Sequence, residues 1–167
     1  MVSFQGTFEI FDDTSFLSPE SIYRPSPRIK TYPSHSLMGY LQKNHRKFAY
    51  IVQLATLDWQ MADESFRGTI FVPLESSIPE ELLYSMDRLK ARQIVKYHLM
   101  IGFFPYKALR TSDYQQLQTS IKGSTITAFW MDQILYLNIQ NTHVIQFDII
   151  LSNGIIHSLN QSLVPLS

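Results

Sequence analysis

The chain has 167 residues, 45% of them hydrophobic and 17% charged, the profile of a globular protein and not a disordered one, and its length fits one domain better than two. Fourteen basic and fourteen acidic side chains cancel to zero net charge, which argues against a broad phosphate-tracking face and so against a nucleic-acid partner. Cysteine is absent, which excludes thiolate metal sites and thiol nucleophiles, and no apolar run reaches the roughly 18 residues that would suggest a transmembrane segment.

Near the N-terminus Val2, Phe4, Phe8 and Ile10 alternate with Ser3, Gln5, Thr7 and Glu9, the period-two pattern of a half-buried strand. Pro19, Pro25, Pro27 and Pro33 then predict an extended connection. Residues 1–35 thus read as an N-terminal extension, one strand plus a proline-rich linker, ahead of a main domain over 36–167. Met1 to Glu20 has neither a basic start nor an unbroken apolar core, so no signal peptide is expected.

Ser36 is placed to cap a helix carrying Leu37, Tyr40 and Leu41, and Asn44 to cap a second. Phe48, Ile51, Val52 and Ala55 follow the i, i+3, i+4, i+7 spacing of one apolar helix stripe. Gly68 leads into a buried strand over Thr69–Val72, ended by Pro73. Pro79, Glu80 and Glu81 suit the first turn of a helix, and Asp87 caps another running through Ile94 and Val95 towards Tyr97. Gly102 and Pro105 mark a turn. Residues 124–130, 134–139, 143–150 and 155–159 are short β-branched or aromatic runs, some separated by turns at Met131–Gln133 and Ser152–Gly154, and predict an antiparallel meander or set of hairpins. Helices followed by strands give an α+β fold.

Trp59, Phe103, Phe104 and Trp130 are expected in the core. His98 and His157 sit among apolar residues and are expected as buried neutral imidazoles, one nitrogen donating and the other accepting. Asn153-Gly154 is expected to supply positive φ for a tight turn. His35, His45, His98, His143 and His157 show no metal-ligating spacing, and neither a G-x-S-x-G turn nor a glycine-rich phosphate loop occurs. Asp12-Asp13 and Glu80-Glu81 are sequence neighbours that point in different directions, so neither is a prepared acid/base dyad. The expectation is a protein with no enzymatic activity, no cofactor and no metal.

Three stretches, in this order, resemble the fasciclin domain family. Thr69-Ile70-Phe71-Val72-Pro73 is similar to its T-x-F-A-P box, Tyr97-His98-Leu99 with Gly102 to its tyrosine–histidine motif, and Ser152-Asn153-Gly154-Ile155-Ile156-His157 with Leu163-Val164-Pro165 to its N-G-V-I-H box and terminal proline. Asp148-Ile149 stands where the family often has an Asp-Ile pair. The resemblance covers about Ser36 to Pro165, with departures at Leu74–Ile78, which replace T-N-x-A-F, and at Asn160, where aspartate is common. It implies a wedge of twisted antiparallel sheet with packed N-terminal helices, and a role in adhesion or matrix contact. It also implies a protein partner or cell-surface receptor, contacted through Tyr97, His98, Asp148 and Ile149, and a place at the cell surface or, as for some fungal members, in the vacuole. The alternative is an interaction protein inside the cell. Asn160-Gln161-Ser162 fits a glycosylation sequon, Arg24–Lys30 and Lys43–Lys47 read as solvated surface, and Ser18-Pro19 and Ser26-Pro27 as linker phosphorylation sites.

Overall fold

The computed structural model describes residues 31–138 and 141–164, and those from Tyr32 onward belong to one compact unit, Tyr32–Ser167. The expected strand at residues 2–10, most of the proline-rich linker and Pro165 lie outside the described residues.

Ser36 is extended, and its Oγ accepts the Gly39 N–H at 3.0 Å, so α1 (Leu37–Asn44) starts where cap chemistry places it. Asn44 does not cap the next helix. It closes α1, its side-chain amide donating to the Tyr40 carbonyl, and His45 alone joins α1 to α2 (Arg46–Leu54). The stripe of α2 is buried as the spacing predicts: Phe48, Ile51, Val52 and the following Ala55 are all shielded from solvent. A short α3 (Asp58–Ala62) follows, where Asp58 accepts a hydrogen bond from the buried Tyr32 hydroxyl at 2.6 Å. Glu80 and Glu81 stand in the first turn of α4 (Glu80–Ser85), just after Pro79. The Asp87 carboxylate accepts the Lys90 N–H at 2.8 Å and starts α5 (Arg88–Tyr97). Among the described residues no helix is long and apolar enough to cross a membrane.

The strands form two sheets rather than one meander. One contains β1 (Gly68–Pro73), β2 (Leu99–Ile101), β6 (Val144–Leu151) and β7 (Gly154–Leu159) in the order β2-β1-β7-β6. The other contains β3 (Tyr114–Gln118), β4 (Thr125–Met131) and β5 (Ile134–Leu137) in the order β3-β4-β5. A short α6 (Tyr106–Leu109) lies between β2 and β3 in the chain. The hairpins β4–β5 and β6–β7 are antiparallel as expected, and Asp132 and Gln133 both take left-handed φ in the two-residue turn between β4 and β5. The pairing of β1 with β7 is parallel, with Phe71 opposite His157. The first sheet is therefore mixed: a parallel pair needs a long crossover, and here the whole chain between Pro73 and Gly154 supplies it.

Alternation along β1 divides the core. Ile70 and Val72 join Leu37, Leu41, Phe48, Ile51 and Ile156 under the helices, while Phe71 joins Met100, Leu117, Ile126, Leu135 and Leu159 beside the second sheet. Two expected core aromatics are not core. Trp59 is 58% exposed, with its ring against Tyr32, and Phe103 is 47% exposed beneath the Arg67 guanidinium. Trp59 lies on the outer face of the short α3, and Phe103 lies just after β2, so each packs on one side only. Phe104 and Trp130 are half-buried against the second cluster.

Candidate functional site

The signature residues converge on the parallel pair β1–β7. Asn153 is fully buried: its Oδ1 accepts the Leu37 N–H at 2.8 Å and its Nδ2 donates to the carbonyls of Met61 and Asp63. One amide thus fixes the start of α1, the end of α3 and the β6–β7 hairpin. The expected positive φ at Asn153-Gly154 is not found; neither residue is in the left-handed region. Glycine is required at 154 for another reason, since a Cβ there would collide with the Gly68 carbonyl oxygen and the Leu37 side chain.

Thr69 is also fully buried, and its hydroxyl donates to the Gly102 carbonyl at 2.8 Å while accepting the Phe104 N–H at 2.9 Å. Phe71 packs its ring on His157, and its N–H donates to the His98 carbonyl. Pro73 ends β1 opposite Leu159.

Both histidines are satisfied as neutral rings, in opposite tautomers. The Leu163 N–H donates to His98 Nε2 at 3.0 Å, so Nδ1 carries the proton and donates to the Ile94 carbonyl at 2.7 Å. The Asp148 N–H donates to His157 Nδ1 at 3.1 Å, so Nε2 carries the proton and donates to the Phe104 carbonyl at 2.8 Å. Burial pushes the His98 pKa down to about 4, the Ile94 carbonyl opposing, and lowers that of His157 against the pull of the Phe104 carbonyl and the Asp148 charge.

The four expected contact residues are not brought together. Tyr97 and His98 immediately precede β2, at one edge of the four-stranded sheet, and Asp148 and Ile149 lie in β6, at the other edge. Three strand spacings separate those edges, about 14 Å. His98 has no exposed surface, and Tyr97 is half-buried, its hydroxyl donating to the Thr125 carbonyl and accepting from Asn138 Nδ2. Ile149 packs half-buried on the helix-side core. Asp148 is exposed, in a bulge of β6 with φ of 62°, and its carboxylate accepts the Tyr106 N–H at 2.8 Å. The bulge turns the Asp148 N–H towards His157 and its carboxylate towards α6.

The Fasciclin domain model matches residues 43–165. The chain belongs to the fasciclin domain family. In three dimensions this fasciclin domain is similar to a FAS1 domain pair from the insect cell adhesion molecule Fasciclin I, with a TM-score of 0.65 and 19% identity over 80% of this chain and 52% of that one. It spans about half the length of that structure. Among curated proteins, none matches it in sequence.

Beside Asp148 the fasciclin domain carries a cluster that sequence reasoning missed. Tyr106 meets Trp130 and Phe147 edge-on, with ring centroids 5.7 and 5.0 Å apart, and Trp130 stacks on Phe147. The Arg110 guanidinium lies 4.5 Å from the Trp130 ring centroid and pairs with Asp113 at 3.0 Å. The residues come from α6, the turn after it, β4 and β6, so no local spacing announces them. The only signal in sequence is aromatic content in the β segments, which reads equally well as core. Among the described residues, no group of three or more potential metal-binding side chains gathers.

Proposed function

We propose that this fasciclin domain is a non-catalytic protein-binding module whose partner is a cell-surface or matrix protein. The observation that carries the reading is the division of labour around Asp148. The histidines and the buried amide of the signature have their hydrogen bonds committed to the scaffold, whereas Asp148, Tyr106 and Arg110 are exposed beside Trp130. Tyrosine, tryptophan and arginine are the side chains most enriched in interface hot spots. Asp148 is proposed as the acidic contact of this surface, with Ile149, its neighbour in β6, anchoring the strand in the core, while Tyr97 and His98 at the other sheet edge are proposed as scaffold.

The test is attachment of cells, or of a purified receptor ectodomain panel, to the immobilised protein. Tyr106→Ala and Arg110→Ala are expected to lower attachment with an unchanged circular dichroism spectrum. Asp148→Asn removes the charge but keeps an acceptor for the Tyr106 N–H, so it separates recognition from folding. Attachment unaltered in all three variants would remove this surface from the reading. Imaging an internally tagged chain distinguishes surface adhesion from an interaction within a vacuole or the cytoplasm.

A further inference from the structure

We infer that the groove between β2 and β3 binds an extended segment of a partner protein by strand addition, its backbone pairing with the open edge of β3. The inference rests on the reading of this chain as a protein-binding module and places a contact on it. The groove measures about 640 Å³, within the ordinary range for binding clefts of about 300–1,000 Å³. Its floor is apolar, from Met100, Phe104, Leu109 and Leu117.

Register identifies which backbone groups face it. In β3 the bonds from the Trp130 N–H to the Asp113 carbonyl and from the Thr119 N–H to the Ser124 carbonyl bracket the ladder, so odd-numbered residues bond to β4. The N–H and C=O of Gln116 and Gln118 therefore point away from β4, towards the groove. In β2 the bonds from the Phe71 N–H to the His98 carbonyl and from the Gly102 N–H to the Arg67 carbonyl show that even-numbered residues bond to β1. Leu99 and Ile101 thus point outward, and the Leu99 carbonyl already accepts the Ser120 N–H at 2.7 Å. The loop after β3 makes on this edge the bond that an added strand would make. No other hydrogen bond among the described residues engages the backbone of Ile101, Gln116 or Gln118.

Groups two residues apart repeat about every 6.8 Å, the repeat of an extended polypeptide. A compact small molecule has no such periodic set of donors and acceptors, so the chemistry selects a peptide. The lining contains one cation, Lys122, and no carboxylate, which favours an acidic side chain on the incoming strand. The groove is preorganised: Gln118 Nε2 donates to the carbonyls of Thr119, Ile121 and Ser124, fixing the loop that closes one end.

The experiment pans a displayed library of random peptides against the full chain, then maps amide hydrogen exchange with the enriched peptides. Expected are peptides alternating apolar residues with an acid, slowed exchange at Gln116 and Gln118, and binding about tenfold weaker to Gln116→Pro, which removes an outward N–H and no ladder bond. Should Gln116→Pro not fold, Lys122→Glu on the exposed loop takes its place, and acidic peptides are expected to weaken while neutral controls do not. Absence of enriched peptides, protection confined to other amides, or undiminished binding to a folded Gln116→Pro overturns the inference. A partner that attaches through the Tyr106 surface while the groove stays empty removes the groove alone; loss of attachment at both removes the binding reading as well.

Discussion

The strands β1 and β7 and the strand β3 use the same backbone in opposite ways. Every residue of β1 and β7 is buried, because helices cover one face of that parallel pair and the three-stranded sheet covers the other. In β3 only Leu117 is buried, while Tyr114, Gln116 and Gln118 face solvent, and among the described residues one edge pairs with no strand. A doubly covered strand tolerates few side chains at any position, so a recognisable sequence signature collects there and reports on stability. A singly covered edge strand constrains one side chain in two, leaving the rest available for partners. The family boxes on β1 and β7 therefore identify the scaffold, and a partner surface is to be sought away from that doubly covered pair.

The largest polar effect that would sharpen this contrast is at Asn153. Replacement by alanine leaves the Leu37 N–H and the Met61 carbonyl without the Asn153 amide, removes one of the two bonds to the Asp63 carbonyl, which keeps that from the Phe66 N–H, and is expected to cost about 3–4 kcal/mol. Urea unfolding of Asn153→Ala measures it, and a loss below about 1 kcal/mol would mean that the hub is not what joins α1 to the β6–β7 hairpin.

The second effect is pH dependence. The His98 pKa falls from 6.5 unfolded to about 4 folded, so the unfolded chain takes up the proton first as pH drops. The contribution is complete above pH 6.5 and is lost as pH falls through the window from 6.5 towards 4. Its size between pH 7 and 4.5 is roughly 2 kcal/mol, and the lowered pKa of His157 adds in the same direction. Unfolding curves across that window should show it: His98→Gln should flatten the pH slope. The third effect, about 2 kcal/mol, is expected for His157→Ala, which strands the Asp148 N–H and the Phe104 carbonyl and exposes a face of Phe71. A melting temperature within error of the parent chain would contradict it.

Much of the scaffold was legible because its causes are local. Ser36 and Asp87 carry side-chain oxygens one position ahead of an apolar helix, and Phe48, Ile51 and Val52 write their stripe in consecutive turns. The β1 and β7 boxes read as buried strands because nearly all their residues are apolar. What was not legible depends on partners distant in sequence. β3 is Tyr-Gln-Gln-Leu-Gln, a composition with little strand preference, and it is a strand because β4 pairs with it. The parallel sense of β1 and β7 is set by the crossover and not by either strand. Asn153-Gly154 was legible as a turn but for the wrong reason: close approach of Gly68 and Leu37 demands the glycine, and buried hydrogen bonds demand the asparagine. Of the contact residues, exposure of Asp148 followed from its charge, whereas its bulge and its tie to Tyr106 required coordinates.

The smallest expected effect breaks the comparison most cleanly if it is wrong. Tyr114 begins β3 with its ring 62% exposed, and its backbone carbonyl and N–H are engaged by the Ser112 hydroxyl, not by a ladder partner. Among the described residues its phenol oxygen accepts from Gln116 Nε2 alone, an exposed contact that water replaces at little cost. Tyr114→Ser should therefore change stability by less than about 0.5 kcal/mol, the scale of an ordinary surface substitution. Phe71→Ala, an aromatic truncation of the doubly covered strand, provides the opposite pole at about 3–5 kcal/mol. If Tyr114→Ser instead destabilised the fold by several kcal/mol, β3 would be as tightly determined as β1, and the proposed pairing of a partner segment with its edge would lose its structural argument.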